Sequence, residues 1–378
     1  MKRYTTHFAS KVTLVVALGT LSVLPGRAWA DEPSNKLKEI TTVNSYLPGD
    51  MEQHWARDEA YNLVHADIIK GYTEKDGTVS IRPNKQITRA EFVSLLVGAL
   101  GLKKSPDQDP RAFYDIEPNQ WYTEAVNIAS SLGIVKGVTE KSFGPNDKIT
   151  RGEIAALITR AFAYTIDFDE MNARQFKDVK DSYWAAREIS KASSVKIING
   201  YSGGYFKPFE YSTRAEALVM LSNALYLEEN AVPADKTLID IVKANAEDEE
   251  RALGAVDVER LKEISNKRYT GYHKATSDLT AAVLRKMKEE GYKIEITHEG
   301  ELKATVMGKW NRIAVVEVDG GTYHLQASKE GGAHLDNTQT VKGVVMLKKD
   351  SVSGEWKVYT SDIPLLFTQK MLSALDIQ

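Results

Sequence analysis

Three stretches of the chain place apolar residues at helical spacing just after a tryptophan. The middle one is the clearest: Ala125, Ile128, Ala129 and Leu132 follow Trp121 and would share one side of a helix. Each stretch runs on to a glycine, in Gly71-Tyr72, Gly137-Val138 and Gly200-Tyr201, expected to end that helix as a C′ residue. A turn-rich segment with a proline comes next: Ile81-Arg82-Pro83, Phe143-Gly144-Pro145 and Phe206-Lys207-Pro208. A second helix then opens. The first 230 residues thus read as three helix-loop-helix units.

The spacing makes these units repeats. Trp55, Trp121 and Trp184 lie 34, 30 and 30 residues before Arg89, Arg151 and Arg214, and the arginines are 62 and 63 apart. Every second helix opens with Thr-Arg-x-Glu. Thr88 with Glu91, Thr150 with Glu153 and Thr213 with Glu216 are each spaced as a capping box. The arginine then falls at the first helical position, where the helix dipole is already positive. A locally unfavourable choice made three times points to a use. An arginine beside free N–H groups at a helix start makes an anion pocket.

Beyond Glu228–Asp235, a polar stretch that reads as a linker, the texture changes. Residues 238–264 are helical in pattern with a break near Gly254, and 279–289 form another helix stopped by Gly291. β-Branched runs follow at 292–297, 302–307 and 312–318. Asp319-Gly320-Gly321 reads as a hairpin turn, with 322–327 returning as the paired strand, and 341–348 with 355–360 form a second hairpin. Helices followed by an antiparallel meander predict an α+β domain.

The N-terminus reads as a signal peptide. Lys2, Arg3 and Lys11 precede an apolar run, 12–24, that is broken by Gly19, Thr20 and Ser22, and Ala28-Trp29-Ala30 supplies a cleavage site. The run is too short for a stable membrane span. Cysteine is absent, so stability must come from core burial rather than disulfides. Without the four basic residues Lys2, Arg3, Lys11 and Arg27, the 49 become 45 against 52 acidic ones, a net of −7. Overall charge therefore steers the chain to no polyanion, and nucleic acid is not an expected partner. Anion binding would need a local site. No zinc-peptidase histidine spacing, glycine-rich phosphate loop or cofactor motif occurs. Gly200-Tyr201-Ser202-Gly203-Gly204 matches a nucleophile-elbow string but sits in an inter-helix loop. His298 and His324 lie on predicted strands and could share a face.

The recurrent Trp-Ala, Gly-Tyr, Phe-x-Pro and Ile-Thr-Arg-Ala-Glu positions resemble the S-layer homology family over about residues 50–227. The resemblance implies a mostly α, pseudo-trimeric trefoil of three repeats around a central helical bundle, followed by the α+β domain with its curved antiparallel sheet. The organisation would be a signal peptide at 1–30, repeats at 31–104, 105–168 and 169–230, and the C-terminal domain at 231–378. The family binds secondary cell-wall polysaccharide, a peptidoglycan-linked glycan, in Gram-positive bacteria, through a pyruvylated N-acetylmannosamine end. Carried onto this sequence, that implies Arg89, Arg151 and Arg214 on the carboxylate, Trp55, Trp121 and Trp184 against the sugar, and close backbone approach at Gly71, Gly137 and Gly200. Repeat 1 lacks the lead-in present as Phe113-Tyr114-Asp115 and Phe176-Lys177-Asp178, having Pro48-Gly49-Asp50 instead. Asp257–Leu261, Val316–Val318 and Gly354–Val358 give the last domain a slighter resemblance to the nuclear-transport-factor-two-like fold, a cone of sheet closed by helices.

Three readings follow. The first is a non-enzymatic protein anchored to the wall from outside the cell, its last domain binding a small ligand or a protein. The second is a wall-anchored enzyme with a hydrolase-like site in that domain. The third is a lattice-forming protein. A buried acid/base pair in the cone would favour the second, and an apolar filling the first.

Overall fold

The computed structural model describes residues 42–168, 172–330, 334–363 and 366–367. The signal-peptide reading lies outside them. Among the described residues no helix is long and apolar enough to cross a membrane.

The repeats supply helix pairs. Repeat 1 has α1 (Arg57–His65), a short hairpin of β1 (Tyr72–Thr73) and β2 (Val79–Ser80), and α2 (Arg89–Leu100). Repeat 2 has α3 (Thr123–Ser131) and α4 (Arg151–Ala161), and repeat 3 has α5 (Ala186–Ser194) and α6 (Arg214–Leu225). The β1–β2 hairpin holds the four extra residues of repeat 1. All three capping boxes are closed in both directions, with the threonine as N-cap and the arginine as first helical residue. The glycine stops are placed differently from expectation. The left-handed residue after each first helix is Asp67, Gly133 or Lys196, four residues before the expected glycine.

Packing runs in a ring. α2 lies on α3, α4 on α5, and α6 returns to α1, while α4 also touches α2 and α6. The backbone closes the same ring: Ile87 N–H donates to the Ser212 carbonyl, Ser212 to Ile149, and Ile149 to Ile87. Phe92, Leu96, Ile154, Ile158, Leu218 and Leu221 fill the centre without exposure.

The C-terminal region is helical and then stranded: α7 (Asp235–Gly254), α8 (Val258–Arg268), α9 (Gly271–Glu289), then β3 (Lys293–Glu299), β4 (Lys303–Lys309), β5 (Ile313–Ser328), β6 (His334–Lys349) and β7 (Trp356–Ser361). The strands form one antiparallel sheet in the order β3-β5-β6-β7, with β4 also on β5. Asp319-Gly320-Gly321 is not a hairpin turn. Both glycines have positive φ and form a bulge inside the single long strand β5. Such a bulge bends a strand without ending it, and β4 pairs before it while β3 pairs after it.

The two parts share buried surface. On β5, Ala314, Val316 and Val318 face the C-terminal helices, while Ile313 and Val315 join the core of the repeats. Met346 and Tyr359 do the same on β6 and β7. Burial on both faces explains the continuous apolar runs there. Val43 packs in the C-terminal core. The polar stretch at 228–235 is no free linker: Glu228 is fully buried, accepts the Asn311 N–H and pairs with Arg312 at 3.0 Å.

Candidate functional site

Each second helix starts at a seam with the next repeat, and the seam consumes its first two N–H groups. Arg89 and Ala90 donate to the carbonyls of Asp147 and Pro145, Arg151 and Gly152 to Glu210 and Pro208, and Arg214 and Ala215 to Lys85 and Pro83. The expected free N–H groups beside the arginines are therefore already engaged. The guanidinium groups are engaged too, and each arginine is only 5% exposed. Arg89 Nε donates to the Phe143 carbonyl and Nη1 to Glu153 Oε1 at 3.0 Å. Arg151 does the same with Phe206 and Glu216, at 3.0 and 2.9 Å. Arg214 differs: Nη1 meets Tyr72 Oη at 3.4 Å, Nη2 donates to the Lys70 carbonyl, and Nε is buried without a partner.

The glutamates close these seams. Burial alone would raise the Glu216 carboxyl, but hydrogen bonds from Tyr201 and Thr213 and the Arg151 charge outweigh it and hold the pKa below the carboxylate norm. Glu91 follows the same pattern, with Thr88, Tyr72 and Lys85 outweighing burial. Tyr72 and Tyr201 donate to Glu91 and Glu216 of their own repeats at 2.8 and 2.5 Å. Repeat 2 has Val138 at that position and no such donor.

The tryptophans take the opposite place. Trp55, Trp121 and Trp184 are 64%, 64% and 56% exposed, unusual for so large an apolar side chain. Each stands beside the loop that follows the repeat's proline. His54, whose ring lies tilted against Trp55, meets Asn84. Trp121 lines an open concavity with Gly144, Pro145 and Asp147. Tyr183, next to Trp184, packs on Phe209.

A family model described as the S-layer homology domain matches residues 49–93, 112–155 and 175–218. The chain carries three S-layer homology domains. Relatives include exoglucanase XynX of Acetivibrio thermocellus, 31% identical over 54% of this chain and 19% of that protein. The middle cell wall protein of Brevibacillus brevis is 33% identical over 50% and 16%, and S-layer protein sap of Bacillus anthracis 27% over 52% and 23%. The chain thus spans less than a quarter of the length of each of these relatives. Enzymes and surface proteins alike carry the shared portion.

Within the S-layer homology repeats, sequence reasoning missed two sets of residues. Asp50, Asp115 and Asp178 each accept the two backbone N–H groups at the turn before the proline, at 2.7–2.9 Å. Asp50 does in repeat 1 what the lead-in aspartate does elsewhere, so the missing Phe-x-Asp pattern leaves no gap; an aspartate five or six residues before each tryptophan was the available signal. The second set is the exposed cations. Arg82 and Lys85 lie over the Tyr72 ring at 4.4 and 5.2 Å, and Lys207 over Tyr201 at 4.8 Å. Repeat 2 has Gly144 and Asp147 at the positions of Arg82 and Lys85.

The glycines have a local reason. A Cβ on Gly137 would strike Phe113 and the Thr139 and Ser142 carbonyls, and one on Gly200 would strike Phe176 and the Tyr205 carbonyl. The repeat's own loop, rather than a ligand, fills the space beside them; at Gly71 it is Val79 and Ser80. The Gly200–Gly204 string is a short turn bridged between Tyr201 and Tyr205, not a strand-to-helix elbow. His298 and His324 point to opposite faces, since Thr297 pairs with His324 and His298 with Tyr323. Among the described residues no cluster of three or more His, Asp or Glu is placed to hold a metal ion.

Proposed function

We propose that the three S-layer homology repeats, arranged as a pseudo-threefold trefoil, hold an exported protein to the bacterial cell surface by binding secondary cell-wall polysaccharide through a pyruvylated sugar end. The observation that carries this reading is the recurrence of an exposed tryptophan beside each seam of a ring otherwise tightly paired. An exposed indole offers an apolar face to a sugar ring, and a nearby cation offers a contact to its carboxylate. The seam between repeats 3 and 1 is best equipped, with Trp55, Tyr72, Arg82 and Lys85. The seam between repeats 2 and 3 has Trp184, Tyr201 and Lys207, the last paired with Glu210 at 2.9 Å. The seam between repeats 1 and 2 offers Trp121 but Asp147, whose charge repels an anion. In this reading Arg89, Arg151 and Arg214 shape the grooves and lend them positive potential from below, with Arg214, whose Nε is unpaired, nearest to a ligand contact. The C-terminal domain is read as the cargo, a cone-like module for a small ligand or a protein.

The test is co-sedimentation of the full chain with purified wall sacculi, before and after removal of secondary polysaccharide. Trp55→Ala, Trp184→Ala and the pair Arg82→Ser with Lys85→Ser are the informative variants, because these side chains are exposed and their loss leaves the fold intact. Binding to untreated walls alone, weakened by these variants and little changed by Trp121→Ala, is the expected result. Equal binding to stripped walls would refute the polysaccharide reading.

A further inference from the structure

The C-terminal domain encloses a cavity of about 410 Å³ between α7, α9 and the concave face of the sheet. That volume lies within the usual range for small-molecule pockets, roughly 300–1,000 Å³. Its walls are mostly apolar and include Val242, Leu253, Val318, Val341 and Val345. A few polar groups converge at one side. Tyr269 Oη donates to Glu249 Oε2 at 2.9 Å, and the Tyr269 ring meets the His273 imidazole edge-on at 4.5 Å. Tyr323 and Asn245 complete that side.

Two of these groups lack partners. Asn245 Oδ1 accepts from Arg268 at 3.2 Å, but its Nδ2 is buried without an acceptor. The His273 ring nitrogens have no hydrogen-bond partner among the described residues. A buried polar atom left unpaired, as Asn245 Nδ2 is, is costly and uncommon, and the half-buried His273 ring lies on the same cavity. Here they line space that a molecule could fill.

The electrostatics narrow what that molecule is. Burial pushes the Glu249 carboxyl up, against the Tyr269 hydrogen bond. Burial pulls His273 down to about 4, so it is uncharged at neutral pH. Of the other charged lining residues, Lys243 pairs with Glu301, Glu250 meets His298 and is half-exposed, Glu247 is exposed, and Asp362 accepts the Val344 N–H. A site that drives its own groups toward their neutral forms would charge a full desolvation cost to an ionic ligand.

We propose that this cavity is a binding site for a small, uncharged, largely apolar molecule that carries a hydroxyl group. The hydroxyl oxygen accepts from Asn245 Nδ2 and its O–H donates a hydrogen bond to Glu249 or His273, while the apolar body lies between α7 and the sheet. The inference is independent of the wall-binding reading.

Equilibrium dialysis of the full chain against 2-naphthol, with naphthalene sulfonate as the anionic relative, tests it. Gln339→Trp and Thr280→Trp each place an indole in the cavity from a partly exposed position, on different elements, so one serves if the other fails to fold. The expected result is saturable uptake of about one naphthol per chain, lost in the tryptophan variants at unchanged melting temperature, with the sulfonate at least about tenfold weaker, equivalent to about 1.4 kcal/mol. His273→Leu should weaken naphthol more than unsubstituted naphthalene. The proposal is overturned if the wild type takes up no naphthol near its solubility limit, if folded tryptophan variants bind as the wild type does, or if the sulfonate binds equally well.

Discussion

Replacing the three repeat arginines one at a time should expose the asymmetry of the ring. Arg151→Ala removes an ion pair to Glu216 at 2.9 Å, a charged hydrogen bond to the Phe206 carbonyl at 3.0 Å, and a cation over the Tyr201 ring at 4.7 Å. Hydrogen bonds to charged groups contribute about 1.5–3 kcal/mol each. Three effects reduce the sum. Glu216 keeps its bonds from Thr213 and Tyr201, it is partly exposed, and a cation at the first helical position costs about 0.3–1 kcal/mol that the substitution recovers. A net loss of about 3 kcal/mol follows for Arg151→Ala, and slightly less for Arg89→Ala, which has the matching ion pair and carbonyl bond but Val138 in place of the tyrosine ring. Arg214 makes no direct carboxylate bond among the described residues; it has a 3.4 Å contact to Tyr72 Oη, lies over the Tyr72 ring at 5.0 Å and makes one bond to a backbone carbonyl, so Arg214→Ala should cost about 1–2 kcal/mol. Urea unfolding followed by tryptophan fluorescence reads these values from the shift in midpoint at constant slope. If Arg214→Ala costs as much as Arg151→Ala, or if all three stay below about 0.5 kcal/mol, the seam account is wrong. The result also bears on wall binding, because an arginine variant that loses affinity could do so by loosening the ring.

Acid should loosen the join between the repeats and the last domain. His65 is buried between Thr360 and Tyr272, at 2.9 Å and a ring distance of 4.2 Å, and burial lowers its pKa to about 3. The unfolded chain takes up this proton near pH 6.5 and the folded one does not until about 3, so stability present above pH 6.5 is lost as pH falls through that window. The slope is up to about 1.4 kcal/mol per pH unit, with His273 adding to it down to about 4. Melting curves from pH 7 to 4 should show the decline, and a His65→Gln variant should show a shallower one. Separately, Asp178→Ala strands the Phe206 and Lys207 N–H groups and should cost about 2–3 kcal/mol, whereas Asp178→Asn, which keeps one acceptor, should cost less; a thermal shift comparison decides.

The repeats were readable because each is built from local signals. Thr-Arg-x-Glu is a capping box wherever it starts a helix, and three copies in register leave little freedom of interpretation. The same locality hid how Arg89 and Arg151 are engaged. Seen within one repeat, an arginine at a helix start looks available to an anion; only the neighbour's Phe143 or Phe206 carbonyl and Glu153 or Glu216 carboxylate, more than fifty residues away, show it occupied. Gly320-Gly321 went astray for a related reason. A double glycine between β-branched runs signals a turn, and the long-range pairing of β5 with β6 turns it into a bulge. In the last domain the helix-then-strand order was legible, but the cavity was not, since Glu249, His273 and Tyr269 meet only through the packing of α7 on α9 and the sheet. The run from Ile313 to Val316 carried a signal that went unused: apolar residues without alternation mean a strand covered on both sides.

That double cover has a mechanical meaning. With Ile313, Val315, Met346 and Tyr359 set into the core of the repeats, and Lys348 Nζ bonded to the Ala66 carbonyl, the last domain is no pennant on a string. It is a bracket, fixed at an angle chosen when the chain folds. A load applied to the last domain passes into the repeats through packed side chains rather than through a slack tether. The mouth of the cavity keeps one bearing toward whatever surface the repeats grip, so approach from that surface and approach from the medium are different events for the molecule that enters it.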